Sequence, residues 1–301
     1  MFGMNITKFN QFISQLGYQL PNDFNYSIGI NQIVRFKDVN KLKDNKNLWL
    51  HRVSLNSYVF GDWSLNEKHI YNDNREYTKQ EYKHYYKAKQ KQEYLEYKEH
   101  RAIANACINE YNKLADVDPQ HPYLVKKQVL PCFGMKQKGN AIVVPIFGTI
   151  APFEGDLQSL QYILPDGFKQ FRKGAKYKGG CFNVNDNGTD YFIYAEGLAT
   201  SLSILRYVQK RLIRATIICC FTCGNLEPVI SYMRRIYPKA YFEIWADKDK
   251  SRVGQETAIK IAERFDNIKV RLPDLTPEQV EQGYSDFNDW FNLHGVFNNE
   301  K

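Results

Sequence analysis

The sequence predicts an α/β chain. Its C-terminal third reads as a mostly parallel sheet flanked by helices. A mixed α+β region precedes that sheet, and a β-rich, long-helix part stands at the N-terminus. Three observations predict this. From residue 190 onward, short apolar runs alternate with amphipathic stretches at the spacing of strand–helix units. Residues 74–115 hold neither Gly nor Pro and are rich in Lys, Glu, Gln, Tyr and Ala, the composition of a long helix or helical hairpin. Residues 1–70 show short apolar groups separated by polar turns.

Taken in order, residues 28–36, 48–53 and 58–60 read as short antiparallel strands, and Phe60-Gly61-Asp62-Trp63 as a turn with a buried aromatic on each side. In the helical stretch Ile103, Cys107, Tyr111 and Leu114 recur at helical spacing and should face the body of the protein. Tyr82, Tyr85, Tyr86, Tyr94 and Tyr97 lie among lysines and read as a solvated face, rings packed on Lys stems. Pro119 and Pro122 stop the helix. Residues 141–147 and 157–164 are apolar strands, and Pro165-Asp166-Gly167 is a turn. Beyond residue 190 the predicted strands are 191–195, 215–221, 241–246 and 268–272. The predicted helices are 198–209, 226–236 with Asn225 as N-cap, and 255–265. The expected parts are therefore 1–118, 119–189, 190–295 and a tail, 296–301.

The chain has 301 residues and a formal net charge of +8, which suits a polyanionic partner. The first fifteen residues lack a basic start followed by an apolar run, and no apolar stretch approaches the ~20 residues that span a bilayer. A cytoplasmic protein without a membrane partner is expected. Six cysteines do not form two spaced CxxC pairs, so a zinc ribbon is not expected. Cys219 and Cys220, adjacent in a strand, should point to opposite faces as buried thiols.

In parallel sheets the working residues sit at the carboxyl ends of the strands. Here the first such strand ends at Glu196-Gly197 and the third at Asp247-Lys248-Asp249. Asp247 and Asp249, two apart in extended chain, would project to one side, and so would Asp286 and Asn288 in Ser285-Asp286-Phe287-Asn288-Asp289-Trp290. Glu196, Asp247, Asp249 and Asp286 gathered together would repel one another unless a cation offsets them. Oxygen ligands without His or Cys select Mg²⁺ or Mn²⁺. Two such ions can clamp the attacking and leaving oxygens of a phosphoryl transfer. Upstream, Lys169, Arg172, Lys173, Lys176 and Lys178 alternate with glycines and aromatics. Glycines admit close backbone approach to a phosphate, and the cations supply charge.

The Glu after the first strand and the Asp-x-Asp after the third resemble the TOPRIM signature shared by primases, topoisomerases and some nucleases. The run from Ala195 through Glu196-Gly197-Leu198-Ala199-Thr200 to Ser201 is similar to the corresponding segment of phage and plasmid primases. So are Gly224-Asn225-Leu226, Asp286-Phe287-Asn288-Asp289-Trp290, His121-Pro122-Tyr123-Leu124 and the basic segment. The resemblance implies a DNA primase that makes short RNA primers on a single-stranded DNA template from NTPs, with a replicative helicase as a further partner. It implies that Asp247 and Asp249 bind the divalent ions with Asp286 assisting. Glu196 would bind metal or act as the acid/base, and the five cations would hold triphosphate or template phosphates. His121 and Tyr123 are expected to have packing roles. The alternatives are a TOPRIM nuclease using the same acids and a non-catalytic single-strand-binding replication factor.

Overall fold

The computed structural model describes residues 4–40, 46–65, 67–74, 76, 78–248, 250 and 252–294. Its contacts divide the chain into two units, Met1–Glu96 and Tyr97–Lys301. The division falls inside the long helical stretch.

The first unit opens with a helix that the sequence reading did not expect, α1 (Ile6–Gln15). Asn5 caps it by accepting from the amide of Lys8, and Phe9 and Ile13, one turn apart, are its buried face. They pack on a four-stranded antiparallel sheet of β1 (Ile33–Phe36), β2 (Leu48–Arg52), β3 (Ser57–Asp62) and β4 (Glu67–Asn72), in that order. Leu48, Leu50, Tyr58 and Phe60 point toward α1, so the strand alternation is that of a sheet covered on one side. Phe60-Gly61-Asp62-Trp63 is not a turn. Its first three residues end β3, and Trp63 begins the turn beyond it, half-exposed.

The long helix is continuous, α2 (Lys79–Tyr111). In the second unit Cys107 is fully buried among Val143, Leu157 and Leu160, with Ile103, Tyr111 and Leu114 packed beside it, as the helical spacing predicts. After β5 (Ala115–Asp116), Pro122 does not merely stop a helix but starts one, α3 (Pro122–Lys127). Proline suits a first helical position because its missing N–H would be unpaired there anyway. His121 is the N-cap: its ring accepts from the amide of Tyr123, and Nε2 lies 2.8 Å from the carbonyl of Asn140. A structural role for His121 is thereby accounted for.

Among the described residues the strands of this unit form one ten-stranded sheet. Its strands are β5, β6 (Lys136–Lys138), β7 (Ala141–Gly148), β8 (Leu157–Ile163), β9 (Lys169–Phe171), β10 (Gly180–Asn185), β11 (Tyr191–Ala195), β12 (Thr216–Cys219), β13 (Tyr241–Trp245) and β14 (Ile268–Arg271). The path runs β14-β13-β11-β12-β10-β7-β6-β5, with β8 and β9 branching from β7. β12, β11, β13 and β14 are mutually parallel, and β10 is antiparallel to β12. Helix α4 (Leu198–Lys210) packs on one face, together with α8 (Phe287–His294). Helices α5 (Cys223–Ile236) and α6 (Val253–Arg264) pack on the other. The short α7 (Pro277–Glu281) carries a complete capping box at Thr276 and Gln279. Cys219 lies in the first core and Cys220 in the second, on opposite faces as expected. All six cysteines are free thiols.

This is a doubly wound arrangement. The connection from β11 leads to one neighbour, β12, and the chain then crosses back over β11 to reach β13. The reversal leaves a crevice at the carboxyl ends of these three strands.

Candidate active site at the carboxyl ends of the parallel strands

Glu196 leaves β11 half-buried, and Gly197 is the N-cap of α4. Its carboxylate lies over the first turn of α6, where a Cβ built on Gly254 would meet Glu196 Oε2 at 3.6 Å. The amide-rich start of a helix favours negative charge there. Asp247 follows β13, whose Trp245 pairs in register with Ala195, so the two acids leave adjoining strands one residue apart in register. The Cys223 thiol feels the charge of both. Burial raises the pKa of Cys223, and Glu196 and Asp247 raise it further. Asp249 lies outside the described residues. Among the described residues no three His, Cys, Asp or Glu side chains form a group able to hold a metal.

Asp286 stands differently from the sequence expectation. It precedes α8, so Asp286 and Asn288 do not alternate along an extended strand. Asp286 Oδ2 accepts from the Thr200 hydroxyl at 3.0 Å, and Oδ1 accepts from the amide of Asp289 at 2.8 Å. Asn288 is buried and donates to the carbonyl of Lys127 and the hydroxyl of Ser203, fastening α8 to α3 and α4. Burial, and then the charge of Asp286, raise the Tyr123 phenol well above its ordinary value.

The segment before Asp286 also reaches the second acidic loop. The carbonyl of Ser285 accepts from the amide of Lys248 at 2.7 Å, and Lys248 Nζ donates to the carbonyl of Leu275 at 2.6 Å. Residues 285–286 therefore clasp two loops at once, holding the first turn of α4 after Glu196 and the backbone after Asp247. Sequence reasoning placed Asp286 at the site but gave Lys248 and Ser285 no part.

The basic segment divides. Lys169 Nζ would lie 4.0 Å from a Cβ on Gly197, and its charge opposes the burial that raises Cys219 to about 11. Its ammonium is thus at the crevice. Arg172 is held elsewhere, 2.9 Å from Glu110 and within hydrogen-bonding distance of the Tyr162 hydroxyl. Lys176 lies over the ring of Phe153, and Lys173 and Lys178 are exposed. The end of the segment is pinned by Asn225, which is not the N-cap of α5; Thr222 is. Asn225 is buried, accepts from the amide of Gly179 at 2.9 Å, and donates to the carbonyls of Tyr177 and Cys220. Gly179 fits because its φ is +68° and a Cβ would strike Ile150 at 2.4 Å.

A glutamate after β11, an aspartate after β13 and this strand order coincide with a family match: the Toprim domain model covers residues 191–296. Residues 191–296 are a Toprim domain. Two curated proteins named DNA primase TraC, both from Escherichia coli, are each 28% identical to this chain, over 164 and 161 residues. The matches cover 52% and 51% of this chain and 11% and 14% of the relatives, so the chain spans a small fraction of the length of the curated relatives it matches. Among solved structures, the primase fragment of the bacteriophage T7 primase-helicase protein is 13% identical, with a TM-score of 0.37, covering 57% of this chain and 65% of that one. Primase domains in a T7 lagging-strand DNA polymerase assembly are 12% identical with a TM-score of 0.38, covering 61% and 86%. The resemblance to phage- and plasmid-type TOPRIM primases stands on the Toprim and TraC matches.

Glu196 and Asp247, at the carboxyl ends of adjoining strands, bring carboxylate oxygens, donors that suit Mg²⁺ or Mn²⁺.

Proposed function

We propose that this chain is a DNA primase: a nucleotidyltransferase joining NTPs into short RNA primers on a single-stranded DNA template. The observation that carries the reading is the paired placement of Glu196 and Asp247 at adjoining Toprim strand ends with the Lys169 ammonium beside them. The similarity to TraC primases favours synthesis over the other chemistries a Toprim domain can host.

In this reading Glu196, Asp247 and Asp249 hold Mg²⁺ or Mn²⁺, which would supply charge neutralisation on the transferring phosphoryl group. Lys169 steadies the triphosphate of the incoming nucleotide, with Lys173, Lys176 and Lys178 farther along the template or triphosphate path. Glu196, whose carboxylate lies near Gly254 in the first turn of α6, would also act as the acid/base that takes the proton of a 3′ hydroxyl. Asp286 assists by fixing the two acidic loops through Thr200 and through the neighbouring Ser285 carbonyl. A replicative helicase is the further partner of this reading. Among the described residues no helix is long and apolar enough to cross a membrane.

The test is incubation with single-stranded DNA, labelled NTPs and Mg²⁺ or Mn²⁺. Short products that require NTPs, and that vanish in a folded Asp247→Ala, Asp249→Ala double variant, are expected. Metal-dependent shortening of the DNA without NTPs, lost in Asp247→Ala, would replace the primase by a Toprim nuclease. Binding of single strands without either reaction would leave a non-catalytic replication factor.

A further inference from the structure

Phe60-Gly61-Asp62-Trp63 lies in the first unit, outside the residues matched by the Toprim model, and shapes the outer face of the N-terminal sheet. Helix α1 covers one face. The registers place Arg35, Trp49, Gly61 and Lys68 in one row across all four strands of the other face, and Ile33 and Ile70 in the next row. Ile33, Ile70 and Trp63 are 52%, 68% and 51% exposed, whereas Trp49 is buried at 6%, so the ring this face offers to solvent is that of Trp63. Gly61 makes it flat. A Cβ there would lie 2.5 Å from Trp49 Cζ2, and without one the indole lies across strand β3. Trp63 packs on Trp49 with ring centroids 5.3 Å apart, and the Arg35 guanidinium stands 5.5 Å from the Trp63 ring centre.

The charge on this face has one sign. Arg35 and Lys68 are exposed, and no position of the four strands on this side is acidic. Two acids on the opposite side of these strands are engaged there. Asp62 is buried and accepts from Ser64, and Glu67 accepts from Tyr18, which packs against Phe60 under the sheet. A flat aromatic surface edged by cations recognises an unpaired, polyanionic chain of bases. A base face stacks on the exposed Trp63 ring, the phosphates meet the cations, and a duplex, whose base faces are already stacked, cannot use the ring.

We propose that the β1–β4 face, centred on Trp63 with Trp49 packed against it, is a binding platform for single-stranded nucleic acid that does not use the Toprim carboxylates. An apolar protein partner would have little use for its cations.

The experiment is equilibrium binding of a fluorescent oligo-dT to the full chain in EDTA without NTPs, which silences the metal-dependent chemistry. Trp63→Leu should weaken binding by about five- to a hundredfold, the range for loss of one stacked base. Arg35→Gln with Lys68→Gln should lower the slope of log affinity against log salt by roughly 1.4, at about 0.7 per single-strand phosphate contact. Circular dichroism and thermal melting of each variant establish that it is folded. Duplex DNA of the same length should bind equally to wild type and Trp63→Leu. Unchanged oligo-dT affinity in a folded Trp63→Leu, or an unchanged salt slope in the double variant, would overturn the platform. Primer synthesis is scored separately, so the platform and the primase reading can fail independently.

Discussion

Asn225→Ala tests how the basic segment is held against the Toprim sheet. Asn225 is 2% exposed and makes three hydrogen bonds, to the amide of Gly179 and to the carbonyls of Tyr177 and Cys220. Each such bond contributes about 1 kcal/mol net, and a buried partner left unsatisfied costs about 1–3 kcal/mol. Gly179 is itself buried, so its amide cannot simply turn to water. Loss of all three contacts should therefore cost about 3 kcal/mol. Urea unfolding would read that as a lower midpoint at unchanged slope. Amide exchange would localise it, since the Gly179 N–H should lose protection more than amides in β11. Asn225→Asp should be no better: it keeps an acceptor for Gly179 but turns a carboxylate oxygen toward two carbonyls. A loss under about 1 kcal/mol in Asn225→Ala, with Gly179 exchange unchanged, would refute the clamp.

Lys169→Gln should weaken NTP binding with little change in stability. Arg172→Gln should do the reverse, costing about 1 kcal/mol through the partly exposed pair with Glu110; nucleotide titration and urea unfolding of both variants check this. Thr200→Val removes the hydroxyl held by Asp286 and should weaken Mn²⁺ binding about tenfold, as loss of a supporting hydrogen bond does around a metal. Asp286→Asn, which can still join Thr200 and the Asp289 amide, should retain Mn²⁺ affinity, and a large loss in that variant would instead make Asp286 a ligand. Burial pushes the Glu243 carboxyl up, but hydrogen bonds from Arg271, Trp245 and Tyr191 outweigh it and hold the group below its ordinary value of 4.5. A depressed folded pKa contributes stability above the unfolded pKa and loses it as pH falls through the folded one. Glu243→Gln should thus destabilise at pH 7, by about 2 kcal/mol given that Arg271 is partly exposed. Its deficit against wild type should shrink below about pH 4.5; a pH-independent deficit in urea unfolding would contradict the assignment.

The Toprim elements were legible because buried parallel strands are short continuous apolar runs, and the helices between them carry an apolar stripe. Residues 191–195 coincide with β11, and the other three predicted parallel strands overlap β12, β13 and β14. Helix α1 was not legible. Only Phe9 and Ile13 mark its buried face, too few to outweigh the short apolar groups around them. β10 was hidden for another reason: it follows the basic, Gly-rich segment and reads as its continuation, although its Phe182 and Val184 enter the core. The alternation assigned to Asp286 and Asn288 failed because it assumed extended chain. With α8 beginning at Phe287, the two side chains leave in different directions and take different partners.

The site shows the same limit at finer scale. Sequence could place an acid at the end of a strand, because strand ends follow from hydrophobic pattern. It could not say which polar side chain meets which, because those bonds join residues far apart in the chain: Thr200 and Asp286 are 86 residues apart, and Gly179 and Asn225 are 46 apart. The five cations illustrate the consequence. Spacing along the chain makes them one cluster, and the sequence reading treated them as one phosphate-binding set. The fold assigns them differently, since β9 delivers Lys169 to the crevice while Arg172, three residues later, falls beside α2 and takes Glu110. Charge alone would have any of them bind a phosphate. Arg172 would first have to leave Glu110, whose carboxyl is pushed up by burial but held below its ordinary value by Lys138, Tyr162 and Arg172 itself. Lys169 has no such competitor among its described contacts, and this difference makes the paired Lys169→Gln and Arg172→Gln comparison a test of position rather than of charge.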